Sequence, residues 1–233
     1  MKIFFCTSFV LSMIFASVGT YAQPSNDNPE KVYGLDPQLY NGKVYTYFVP
    51  ASTQGTPFYN GADFVDGSVT IRGATYNNLL LKYDVFNQQL ILHYKTIKGA
   101  DNQLVCSEAW LETFNLGDTH FEMLSLADTV RQIFQVIGTG SKRVLYSWNK
   151  ELALDNRFGA TNYRFSVLKK KSYLLSGSVI LKYNNNRSFV AQFDPAFRDE
   201  LKKHLRKQKI NVKHASDQVI TALITYCNTR SLK

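Results

Sequence analysis

The chain has 233 residues, a formal net charge of +9 and three cysteines. That length suits one domain with a sizeable core, and the cysteines are too few for a disulfide framework. After an apolar run at the start, no segment is long and apolar enough to span a membrane, which needs about 20 such residues.

The opening residues, MKIFFCTSFVLSMIFASVGTYA, place Lys2 before an apolar run from Ile3 to Val18. Gly19, Thr20 and Ala22 supply small residues at the end of that run, so the stretch reads as a secretory signal peptide over 1–22, cleaved after Ala22. Phe5 stands where a small residue would precede a lipidated cysteine, which argues against a lipid anchor at Cys6. Removal of this segment leaves a net charge of +8. From Gln23 to Ser141 there are seven basic and twelve acidic residues, a net of −5. From Lys142 to Lys233 there are nineteen basic and six acidic, a net of +13. Such a dipolar distribution is a statement about partners, not about fold.

Residues 23–42 read as a flexible leader, and 43–230 as one domain, mainly β over 43–187 and helical over 188–230. Lys43 to Val49 alternates as a strand closed by Pro50. Ala51 to Asp66 is rich in Gly, Thr, Asn and Pro and reads as a loop anchored by Phe58, Tyr59 and Phe64. Gly67 to Lys95 gives the clearest signal, three consecutive antiparallel strands. A tight turn at Asn87-Gln88 sets Val85 opposite Leu90, Tyr83 opposite Leu92 and Leu81 opposite Tyr94. One face is then apolar, while the other, carrying Lys82, Asp84 and His93, is mixed.

Leu104 to Leu111 reads as a weaker strand. Hairpins follow from Thr113–Leu116 to His120–Leu124 across Gly117-Asp118, and from Gln132–Ile137 to Arg143–Trp148. Asn162 to Leu168 is a further strand, and Lys171–Leu175 pairs with Ser178–Tyr183 across Ser176-Gly177. Ser188 is a possible cap for a short helical turn, with an extended strand as the competing assignment. Asp194-Pro195 is an N-cap followed by proline at the first helical position, opening a helix to about Lys209 with Phe197, Leu201 and Leu205 on one stripe. Ser216 or Asp217 starts a last helix with Val219, Ile220, Leu223, Ile224 and Cys227 on one face. Strands followed by terminal helices predict an α+β fold, a curved antiparallel sheet of about eight to ten strands with two C-terminal helices.

Three features carry a family likeness: the Gly-x-Pro-Phe-Tyr segment from Gly55 to Tyr59, the strand from Tyr76 to Tyr83-Asp84, and the closing module RSFVAQFDPAFRDELKKHLRKQKINVKHASDQVITALITYCN. In these the chain resembles uncharacterised exported envelope proteins of Bacteroidota-type Gram-negative bacteria. The resemblance implies an exported envelope protein and brings no catalytic residues with it.

Chemistry leaves few marks. Four scattered histidines form no metal motif, and Gly-x-Ser-x-Gly and Cys-x-x-Cys are absent, so no cofactor is expected. Cys106 and Cys227 are either bridged, as an exported compartment permits, or two separate buried thiols. Asp63 and Asp66 lie in an aromatic loop with Tyr59 and Phe64. Paired carboxylates there suit glycan hydrolysis, the rings suit sugar stacking, and Asp66-Gly67 suits an ordinary turn. Lys202, Arg206 and Lys207 lie among the cations crowding the polar sides of the penultimate helix, a solvated face or a contact surface. With an export signal, an anionic glycan or lipid surface, or an envelope protein, is the expected partner rather than nucleic acid. The resulting expectation is a non-enzymatic accessory or binding protein, periplasmic or outer-membrane-associated. A carrier of an apolar, lipid-like ligand in the curved sheet is the alternative, and a glycan hydrolase comes third.

Overall fold

The computed structural model describes residues 35–96, 98–126, 130–155 and 162–230. The expected signal peptide and the expected leader as far as residue 34 lie outside the described residues. The packed chain begins before the expected boundary at 43: Leu39 is buried in the core, and the Gln38 side chain donates to the Ile71 carbonyl.

A curved antiparallel sheet of eleven strands carries the fold, with helices gathered at the C-terminal end. Its first strand, β1 (Lys43–Val44), is only two residues long, far shorter than the alternation of Lys43 to Val49 suggested. Next come β2 (Val65–Ile71), β3 (Ala74–Asp84), β4 (Gln89–Lys95) and β5 (Asp101–Val105). They are followed by β6 (Leu111–Leu116), β7 (Thr119–Leu126), β8 (Val130–Ile137) and β9 (Lys142–Asn149). β10 (Leu152–Asp155) and β11 (Asn162–Phe165) form a separate two-stranded ribbon, and β12 (Lys169–Ser176) and β13 (Val179–Tyr183) rejoin the main sheet. The order is β1-β5-β4-β3-β2-β6-β7-β8-β9-β12-β13, so two meanders grow in opposite directions from a seam where β2 pairs with β6.

The link between β5 and β6 dictates the curvature. On a flat sheet these strands stand four spacings apart, roughly 19 Å. Only residues 106–110 connect them, and part of that link is folded into a turn, with the Leu111 N–H bonded to the Ser107 carbonyl at 2.9 Å. So short a bridge reaches only if the first meander rolls over on itself. The Arg131 guanidinium fastens this turn to β8 by donating to the carbonyls of Glu108, Ala109 and Leu111. The roll is filled with rings: Tyr83, Phe114 and Phe121 are fully buried, the last two stacked at 4.7 Å. The expected strand over 104–111 is therefore two strand ends with this turn between them.

The β3–β4 register differs by two residues from the alternation-based pairing. Tyr83 faces Leu90 and Leu81 faces Leu92, around a four-residue turn over 85–88. A slip of two leaves every side chain on its own face, so alternation does not distinguish the two registers. The Asp84 carboxylate decides between them. Fully buried, it accepts from the Phe86 and Asn87 backbone N–H groups, the Asn87 side chain and the Tyr45 hydroxyl. It belongs to the turn, not to a mixed, half-wet face.

Three helices close the chain, one more than expected. Asn185 caps α1 (Asn186–Val190) in a reciprocal box with Ser188, so Ser188 is the box partner and not the cap. Asp194 caps α2 (Pro195–Lys207), and α3 (Asp217–Arg230) follows. Leu201, Leu205, Ile220, Leu223, Ile224 and Cys227 pack with Val144, Tyr146 and Leu174 of the sheet, whereas Val219 is 38% exposed. Two asparagines lock the helices in place. Asn186 accepts from the Val212 N–H and donates to the Ile210 carbonyl, and Asn228 does the same for Lys142 at the start of β9. At the sheet edge, the Lys182 carbonyl of β13 accepts from the Gln192 side chain at 2.9 Å.

Candidate functional site

The basic residues of α2 divide cleanly from its apolar stripe. Leu201 and Leu205 are buried, while Lys202, Lys203, Arg206 and Lys207, one and two residues after each leucine, are exposed. Lys202 bonds to Asp199 at 2.9 Å, and among the described residues Arg206 and Lys207 have no carboxylate partner. The helix ends on a further cation. Lys209 takes a left-handed backbone, φ +52°, and the Ile210 and Lys209 N–H groups close the end on the Leu205 and Arg206 carbonyls. That conformation ordinarily favours glycine. His204 stacks on Tyr226 of α3 at 3.9 Å, and the Tyr226 hydroxyl donates to Glu200.

The aromatic loop makes a different kind of place. Tyr59 turns inward: its ring meets Phe121 and Trp148 edge-on, and burial raises its phenol to about 12. Phe58 is buried and the Val85 N–H bonds back to Pro57, so the loop is anchored as its rings suggested. A cavity of about 100 Å³ opens beside it, lined by Phe58, Asn60, Gly61, Asp63, Leu81 and Lys82 among others. The Lys82 ammonium sits between two rings, 4.4 Å from the Phe58 centroid and 4.0 Å from that of Phe64. Burial lowers the pKa of this amine, and the Asp63 charge opposes the shift. Asp66 stands apart on β2 opposite Leu80 and does not line the cavity.

No protein-family model, curated protein or solved structure matches this chain. Cys106 lies in the core of the rolled meander and Cys227 in the core beneath the helices, both buried. Burial pushes both thiols up to about 12. His93 pairs with Asp101 at 3.2 Å, and His120 lies between Asn115 and Glu122. Among the described residues no group of three or more His, Cys, Asp or Glu side chains is placed to hold a metal ion. Nor is any described helix long and apolar enough to cross a membrane.

Of the residues singled out from sequence, Asp63 and the anchoring rings come together, as do Lys202, Arg206 and Lys207 along one helix. Lys82 was missed. Its place on the mixed strand face was the only signal, since proximity to a loop nineteen residues upstream leaves no pattern in the chain.

Proposed function

We propose that this protein is a non-enzymatic, exported accessory protein of the cell envelope that binds an anionic surface, or an acidic envelope partner, through its basic C-terminal half. The observation that carries this reading is the exposed cationic face of α2, where Arg206 and Lys207 have no internal counter-charge among the described residues. Cations left unpaired in the last turn of a helix also complement its dipole, so holding them there costs the fold little. Lys209, exposed just past the end of the helix, adds a further cation to this face. A carrier of an apolar ligand has less support, because buried rings fill the hollow of the roll.

The test is co-sedimentation with phosphatidylglycerol vesicles. The wild-type chain should pellet at low ionic strength and be released as salt screens the contact over about 10 Å at 0.1 M. A variant carrying Lys202→Glu, Arg206→Glu and Lys207→Glu should stay in the supernatant while keeping its circular-dichroism spectrum. Unchanged pelleting by that variant would remove the α2 face from the interaction.

A further inference from the structure

We infer that the cavity between Asp63 and Lys82 is a binding site for a neutral sugar, taking the vicinal hydroxyls of a single ring edge. This goes beyond the basic face of α2 and uses none of its residues.

Three observations carry it. Asp63 and Lys82 line one cavity, yet no ion pair joins them, since paired groups would lie within 4 Å. Among the described residues the Lys82 ammonium makes no hydrogen bond, and it lies with rings on two sides and lines the cavity. An ammonium so placed is partly shielded from water by the two rings, and an acceptor oxygen from a ligand offers it a charge-assisted hydrogen bond. Across the gap, the exposed Asp63 carboxylate offers acceptors only. The opening is flanked by Asn60, a side chain that both donates and accepts, and by Gly61, at which an added Cβ would meet nothing within 4 Å.

Size and charge narrow the ligand. A volume of about 100 Å³ is several times the roughly 15 Å³ that one water needs, and it suits a fragment of a ring more than a whole oligosaccharide. One positive and one negative group balance each other. A free anion is attracted by Lys82 and repelled by Asp63, and a free cation meets the reverse. Adjacent hydroxyls answer both at once, accepting from the ammonium and donating to the carboxylate, without a charge to desolvate. The carbon side of such a ring meets the apolar part of the wall, formed by Phe58, Val65 and Leu81.

The experiment is a two-dimensional amide titration of the whole exported chain with the methyl glycosides of glucose, galactose, mannose and N-acetylglucosamine, with glycine and inorganic phosphate in parallel. At least one methyl glycoside should give saturable shifts centred on the Asn60, Gly61 and Gly117 amides by about 50 mM, the weak range expected of a small, exposed site. Asp63→Asn and Lys82→Met should each weaken that binding about tenfold or more, the scale for losing a hydrogen bond to a charged group. The remainder of each spectrum should match wild type, and Asp63 is exposed, so its variant keeps the test valid if Lys82→Met disturbs the strand. Absence of saturable shifts with all four glycosides would overturn the inference. So would a response confined to glycine or phosphate, or glycoside binding that both variants retain.

Discussion

Asn228 holds Lys142 by both of its backbone groups, accepting from the N–H at 3.0 Å and donating to the carbonyl at 2.9 Å. One side chain on the last helix thus acts as a short strand would, closing the open side of the β8–β9 hairpin. The same carboxamide donates to the Thr139 carbonyl at 2.7 Å. The closeness of the fit depends on Gly140, where an added Cβ would come within 2.8 Å of the Asn228 nitrogen at a φ of +103°.

Asn228→Ala should therefore destabilise by about 2–3 kcal/mol, the scale for stranding several partly buried backbone groups. Asn228→Asp should also be destabilising, because it keeps the acceptor but turns a carboxylate oxygen toward two carbonyls. Urea midpoints of the two variants against wild type measure both effects. An alanine variant within experimental error of wild type would mean that water replaces the clamp without loss.

The Asp84 carboxylate receives four hydrogen bonds, one of them from Tyr45 at 3.1 Å. Asp84→Asn removes one acceptor oxygen and sets an NH₂ group against donors, so a loss of about 2–3 kcal/mol is expected. Asp84 then ranks with the core positions, in contrast to the small cost that a mixed strand face would imply. Thermal unfolding of this variant beside Tyr83→Asp checks the ranking, and a negligible change at Asp84 would place the turn's stability elsewhere.

Lys209→Gly separates stability from binding. Relief of the left-handed backbone should stabilise by about 0.5–1 kcal/mol. Loss of the charge should lower affinity for phosphatidylglycerol vesicles, if this lysine belongs to the same cationic surface. Chemical denaturation and co-sedimentation on one preparation provide both readings. A gain in stability with undiminished vesicle binding would confine Lys209 to a structural role.

Glu122 supplies a dependence on pH. The His120 hydrogen bond, followed by the bond and charge of Arg143 at 2.6 Å, holds its carboxyl below the ordinary range, while burial works the other way. A carboxylate depressed in the folded state contributes stability that is fully present above its unfolded value, about 4.3, and is lost as pH falls through the folded one. Between pH 6 and 3, Glu122→Gln should therefore begin less stable than wild type and lose less on acidification. Parallel stability profiles over that window would show that the Glu122 contacts contribute nothing to acid sensitivity.

The sequence carried the strand faces, the 117–118 turn, the Asp194-Pro195 helix start and the segregation of strands from helices, whereas the loop expected at Ser176-Gly177 lies one residue later, at Gly177-Ser178. The features it carried come from periodicity or from residues acting on their near neighbours. It did not carry the β3–β4 register, because two pairings that differ by two residues expose the same faces and only the Asp84 carboxylate tells them apart. The seam between β2 and β6, the ribbon of β10 and β11, and the meeting of Lys82 with Asp63 depend on three-dimensional closure. Helical spacing was enough to group Lys202, Arg206 and Lys207, whereas no spacing rule connects a loop aspartate to a strand lysine.

The Gln192 contact at the outer strand bears on how the molecule behaves among its own copies. A long sheet offers its last strand as a template, and growth into fibrils requires exposed N–H and C=O groups in a row. Here the Lys182 carbonyl is already occupied by Gln192, and by the two-residue alternation Ile180 is the other β13 residue turned the same way between the hairpin and Tyr183. At the far margin β1 is two residues long and begins with a lysine. Neither margin presents a run long enough to nucleate another chain. Gln192→Ala would reopen one of them, and the consequence to look for is slow, seeded deposition at high concentration from a protein whose fold is otherwise unchanged.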